Sequence, residues 1–189
     1  QLNKLLDRDL VIYQREENGE LSPTLFPVSP GTDLSEFLTE SERGVAEWVF
    51  KNNKHAGATT NTLPSAKCLY MSIRGTGGAL AVAAIVTKNR EKPEAFEKNF
   101  MVAILDECGL ALEKEMSKAY RASFLGRETE VLMEEPVEIG GARYMVGHTK
   151  EYVKAAVPEA GGKNCFVRGV LKEFLTDEII YLAENPDLG

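Results

Sequence analysis

The sequence has three cysteines, two histidines and no long apolar run, and each shortage closes off a class of function. Cys68, Cys108 and Cys165 lie far apart, each in an apolar stretch. An odd, dispersed set suits neither a disulfide framework nor a metal site, so buried thiols in a reducing compartment are expected. Neither His55 nor His148 has a nucleophile elbow or a cofactor fingerprint near it, and no second ligand stands at metal spacing from His55. No stretch approaches the roughly 20 apolar residues that span a bilayer, and no signal peptide is recognisable. These absences lead us to expect a soluble, cytoplasmic, noncatalytic segment with no cofactor, no metal and no membrane contact. The chain starts at Gln1, inside what reads as a helix (LNKLLDR), as expected of a piece excised from something longer.

What is present is ordinary for a soluble globular protein, with 43% hydrophobic and 27% charged residues. At 189 residues the chain suffices for one sizeable core or two small ones. The net charge of −7 divides into 14 basic and 17 acidic side chains in residues 1–118 and 8 and 12 in residues 119–189. Both parts are mildly acidic, which argues against strong nonspecific binding to nucleic acid, since counterion release needs clustered Lys and Arg.

Residues 93–123 (PEAFEKNFMVAILDECGLALEKEMSKAYRAS) hold no internal proline and one glycine, and predict a single long helix. Phe96, Phe100, Ala103, Ile104 and Ala111 form one apolar stripe, and Met101, Leu105, Leu112 and Met116 a second beside it. So wide an arc implies more than one partner. Pro93 suits a first helical position, and Glu94 and Glu97 suit the positive end of the helix dipole.

Before this helix, residues 10–14 (LVIYQ) predict a strand and residues 17–20 a turn around Gly19. Residues 24–28 predict a second strand, placed at an edge by Pro27. Residues 39–53 open with a capping box, Thr39 and Glu42, and repeat Val45, Trp48 and Val49 at helical spacing, so an amphipathic helix packed on a sheet is expected. Trp48 reads as a core anchor and Cys68 as an inert buried thiol. Residues 52–64 read as one long loop. Residues 68–73 and 80–87 predict two strands, and the glycines at 75, 77 and 78 between them a hairpin turn, because a phosphate cradle would have to open a helix. The order of elements predicts an α+β fold, an antiparallel sheet with packed helices.

The run TESERGVAEWVFKNNKHAGATTNTLPSAKCLYMSIR, followed by FEKNFMVAILDECGLALEKE, resembles the GAF domain of the KdpD family of potassium-responsive sensor kinases over residues 1–115. The resemblance implies a sensory module of a two-component system, here without a phosphoacceptor histidine box or ATP-binding motifs. It also implies a dimer through the helix at 94–121, and a pocket for an unidentified small molecule beside the loop that follows the capped helix. His55, Thr59, Thr60 and Thr62 are the polar groups that loop offers; their simplest use is to satisfy its own backbone.

After the long helix the pattern shortens. Residues 128–134 alternate Thr129, Val131 and Met133 against Glu128, Glu130 and Glu134. Further strands are predicted at 144–146, 152–157, 166–174 and 178–183, with a turn at Gly140 and Gly141, which together read as a small five-stranded barrel of the OB type. YRASFLGRETEVLMEE, VGHTKEYVKAAV and LKEFLTDEIIYLAE are similar to the C-terminal TRAM domain of the MtaB family of radical-SAM tRNA methylthiotransferases, over residues 117–185. That resemblance implies weak, salt-sensitive tRNA contact, without the CxxxCxxC that carries the family's chemistry. Arg143, Tyr144, Lys150, Tyr152, Lys154, Arg168 and Lys172 interleave rings and cations as base stacking and phosphate contact require. Ordinary lysines on a solvated barrel face are the competing reading. The expected division is a GAF-like domain over 1–115, a helical junction over 116–123 and a TRAM-like barrel over 124–189.

Overall fold

The computed structural model describes residues 2–87, 92–158 and 163–184. The fold is mixed α+β, with two mainly antiparallel sheets and few helices. The chain divides into two compact units, Gln1–Lys114 and Glu115–Gly189, and the division falls inside a helix.

The first unit is a sheet with a helix on each face. A short helix α1 (Leu2–Leu6) leads into β1 (Leu10–Arg15) and β2 (Leu21–Phe26), and α2 (Glu40–Asn52) follows a 3₁₀ turn at Ser35–Phe37. Next come β3 (Ala56–Gly57), β4 (Cys68–Gly75) and β5 (Gly78–Val86), and then α3 (Ala95–Ala122). The strand order is β2-β1-β5-β4-β3, with antiparallel pairing throughout.

Side-chain alternation divides the interior in two. Val11, Tyr13, Tyr70, Val82 and Ala84 face α2, where Val45, Ala46 and Val49 close the core, with Trp48 partly buried against it. Leu10, Leu69, Met71, Ala83 and Ile85 face the other way, onto Met101 and Leu105 of α3. Because β4 and β5 are covered on both sides, they read as continuous apolar runs rather than alternating ones. Burying Met101 and Leu105 contributes about 1.5–3 kcal/mol each. The small side chains Ala81, Ala83 and Ala84 of β5 are fully buried, which lets both helices lie close to the sheet.

Several expectations shift. β2 is an edge strand, yet the proline within it is Pro23, opposite Tyr13, while Pro27 lies just past its end. Lys98 N–H donates to the Glu94 carbonyl at 2.9 Å, so α3 starts after Glu94 and Pro93 precedes it rather than occupying its first turn. The expected loop at 52–64 contains β3, which pairs with β4 through Ala56 and Gly57; two residues carry no periodicity to read. On α3 the Met101 and Leu105 stripe is buried, whereas Phe96, Phe100 and Met116 are exposed. Gly109 sits where α3 passes closest to β4: a Cβ there would collide with the Arg74 carbonyl.

The second unit holds a closed barrel of five strands, β6 (Glu128–Ile139), β7 (Ala142–Thr149), β8 (Lys154–Pro158), β9 (Phe166–Phe174) and β10 (Ile179–Glu184). The order around the barrel is β10-β8-β7-β6-β9, antiparallel except for β8 with β10. Val131, Met133, Met145, Ala155, Leu171 and Leu182 fill its interior. A bulge in β6 between Met133 and Glu135 shifts the register against β7. Gly140 and Gly141, both at positive φ, make the expected β6–β7 turn. β8 starts at Lys154, two residues later than expected, because Tyr152 takes φ +61° in the turn before it.

Candidate functional sites

The loop after α2 is built from backbone demands. Asn53 in the left-handed region ends α2, its N–H donating to the Val49 carbonyl at 2.8 Å. Thr60 Oγ1 lies 2.8 Å from the carbonyl oxygens of both Gly57 and Thr62, and it accepts from Thr62 N–H at 3.2 Å. The Thr62 carbonyl in turn accepts from Gly57 N–H at 2.8 Å. Thr60 and Thr62 thus hold the loop's shape. His55 and Thr59 join Thr60, Leu69, Met71 and Lys98 around a cavity of about 30 Å³; Thr62 does not line it.

That volume has room for a water molecule and is an order of magnitude below the several hundred Å³ typical of sites for organic ligands. His55 Nδ1 is buried there with no hydrogen-bond partner among the described residues. Burial, followed by the nearby cations Lys98 and Arg74, lowers the His55 pKa. The Lys98 ammonium lines the same cavity and would repel a metal cation, and among the described residues no three His, Cys, Asp or Glu side chains are grouped to hold one.

Between this loop and α2 lies a polar cluster that the sequence reading missed. Thr39 Oγ accepts from Glu42 N–H at 3.3 Å, as a capping box requires. The Glu42 carboxylate turns inward instead of back to the cap. It accepts from Lys67 N–H at 3.0 and 3.2 Å and from the Tyr70 hydroxyl at 2.5 Å. Lys67 and Tyr70 are 25 and 28 residues away, so no local pattern announces the contact. Burial raises the pKa of Tyr70, assisted by its bond to Glu42, and pushes those of Tyr13 and Cys68 up to about 12.

The barrel carries a larger depression, about 560 Å³, along the outer face of β6. Glu128, Glu130, Leu132 and Glu134, at alternate positions, form its floor. Register places Phe166 of β9 and His148 of β7 on either side of Leu132. Phe124 and Arg127 stand at one wall, with the Arg127 guanidinium 4.8 Å from the centre of the Phe124 ring. The β7–β8 turn supplies the other wall through Lys150, Glu151 and Tyr152. Phe166 is 64% exposed and Tyr152 87%. His148 Nδ1 is 2.7 Å from Glu134, and Arg168 donates to Glu130 at 2.8 Å.

Of the seven residues expected to contact RNA, Lys150 and Tyr152 meet in this groove. Arg143 and Tyr144 belong to the opposite end of β7, about 20 Å along the strand direction at 3.3 Å per residue. Lys154, on β8, approaches Glu178 at 3.7 Å; Arg168 is occupied by Glu130; and Lys172 lies further along β9. The alternation of Glu128, Glu130 and Glu134 was legible in the sequence as an outward face. Phe124, Phe166 and His148 were not, because turn geometry and register bring them to it.

No protein-family model matches this sequence. Among solved structures the chain is similar to the crystal structure of the native GAF domain of the potassium sensor histidine kinase KdpD from Escherichia coli. The two are 18% identical, the match covers 63% of this chain and 80% of that one, and the TM-score is 0.46. At those values the similarity assigns no function. No described helix is long and apolar enough to cross a membrane.

Proposed function

We propose that this chain is a noncatalytic sensory and regulatory protein: a GAF-type module of a KdpD-like two-component potassium sensor, without the kinase core, joined to a TRAM-like barrel. The sequence blocks quoted above support the family reading. The structural observation that carries the regulatory one is the second apolar face of α3. Phe96 is 81% exposed, Phe100 40% and Leu110 55%, with exposed Ala103 and Ala111 on the same side, although the opposite side of the helix is already buried in its own sheet. Asn99, Glu107 and Lys114 share this side, so the apolar surface is interrupted, and its largest exposed element is the pair Phe96 and Phe100; exposed rings of this kind favour an interaction surface. A second copy of the chain is the occupant that a dimeric signalling protein supplies.

Light scattering of the full chain across a concentration series tests this. Dimers are expected, and Phe96→Glu combined with Phe100→Glu is expected to yield monomers of unchanged helicity. A wild-type chain that stays monomeric at high concentration removes the reading.

The second reading is an RNA-binding accessory domain of a radical-SAM tRNA methylthiotransferase, favoured by the exposed rings of Tyr152 and Phe166 beside Lys150. The carboxylates of the groove floor oppose it. A mobility-shift assay at low salt decides: retention of tRNA that is lost on charge reversal at Lys150 and Lys154 favours it, and no retention ends it.

A further inference from the structure

We propose that the groove along β6 is a docking site for an extended basic segment of a partner protein, with Lys or Arg at alternate positions. The inference is independent of the sensory reading and runs opposite to RNA binding.

The barrel is closed. β6 is hydrogen-bonded to β7 on one side and β9 on the other, so it offers no free edge and a ligand cannot join it as an added strand. Recognition has to use outward side chains, and those are Glu128, Glu130, Leu132 and Glu134. Alternate residues on a strand are about 6.7 Å apart, as are alternate side chains of an extended peptide. Basic side chains two residues apart therefore meet Glu128 and Glu130 in register, with an apolar position over Leu132 and Glu134 displaced by the bulge in β6.

The charges already present do not cancel the floor. Glu128 has no cation against it among the described residues. Glu130 is paired to Arg168, which is itself 60% exposed, and Glu134 faces the His148 ring rather than a permanent cation. Arg127, whose charge is left intact by its contact with the Phe124 ring, and Lys150, 3.6 Å from Glu151, are the permanent cations of the lining, outnumbered by the carboxylates of Glu128, Glu130, Glu134 and Glu151. The walls add Phe166 and Tyr152, rings over which a guanidinium or ammonium is attracted and its alkyl stem packs.

Tyr152 carries a further sign. A tyrosine at φ +61° is strained, and such strain persists only where surrounding bonds enforce it. Here Thr149 enforces it: its carbonyl accepts from Tyr152 N–H at 3.0 Å, and its hydroxyl accepts from Glu151 N–H at 3.2 Å and Val153 N–H at 3.3 Å. The turn holds an exposed ring at the groove wall at a cost in backbone energy.

The test uses the full chain and a fluorescent peptide of alternating arginine and serine, read by polarisation. A peptide of the same composition with its arginines contiguous, and a mixed-sequence oligoribonucleotide, are the comparisons. The alternating peptide is expected to bind roughly fivefold tighter than the contiguous one. Glu128→Gln with Glu130→Gln is expected to weaken it roughly tenfold while strengthening any RNA binding, since the two ligands have opposite charge. Tyr152→Gly removes the ring and relieves the strain, so it should also weaken the peptide roughly tenfold without loss of folding stability. Equal binding of the two peptides, peptide binding indifferent to the glutamate substitutions, or RNA as the tighter ligand would each overturn the proposal.

Discussion

The carboxylate of Glu42 accepts the hydroxyl proton of Tyr70 at 2.5 Å and, on its other side, the backbone N–H of Lys67. One residue of the first turn of α2 thereby ties the helix to β4 and to the end of the loop that follows it. Glu42 is 4% exposed, so its carboxylate depends on these partners rather than on bulk solvent. Glu42→Ala leaves the buried Tyr70 hydroxyl and the part-buried Lys67 N–H without their acceptor and should destabilise the chain by about 3 kcal/mol, whereas Tyr70→Phe removes a single bond to a charged acceptor and should cost about 1.5–3 kcal/mol. Urea denaturation of both variants measures the order.

The glycines of the two long helices should respond to alanine with opposite sign. Gly44 in α2 has open space around the missing Cβ, so Gly44→Ala should stabilise by about 0.5–1 kcal/mol. Helix propensity predicts the same for Gly109, but there the Arg74 backbone stands in the way, and Gly109→Ala should destabilise by about 1–3 kcal/mol. Thermal unfolding of the pair separates propensity from packing.

Alkali should unfold the first unit's core through Tyr13, Tyr70 and Cys68. All three pKa values are raised, by burial first, to about 12 for Tyr13 and Cys68 against reference values of 10.0 and 9.0. The folded state keeps protons that the unfolded chain releases, so stability is intact below pH 9 and falls as pH rises from there towards 12. Urea midpoints at pH 8 and pH 10.5 should show the decline, and Tyr70→Phe should reduce it.

Mild acid should act through His55. Its pKa is lowered from 6.5 by burial and the neighbouring cations, so the unfolded chain takes up a proton before the folded one does. Stability is full above pH 6.5 and declines as pH falls towards the folded value. An NMR titration of the His55 ring is expected to place its midpoint below 6.5, and His55→Gln should flatten this part of the stability profile.

The sequence by itself determined most of the elements, though not β3. The capped helix at Thr39, the hairpin of β4 and β5, the long helix and the five short strands of the barrel each follow from local periodicity and turn chemistry, which a few neighbouring residues specify. It also determined that α3 has more apolar surface than one partner needs. Tertiary structure alone decided which stripe of α3 is buried, since Met101 and Leu105 meet the sheet while Phe96 and Phe100 do not. It alone turned Glu42 from its cap to Tyr70, reduced the loop cavity to about the size of a water molecule, and set Phe166 and His148 beside Leu132. These are contacts between residues far apart in the chain, fixed by strand register and by how closely helix and sheet approach, and no local window of sequence contains both partners.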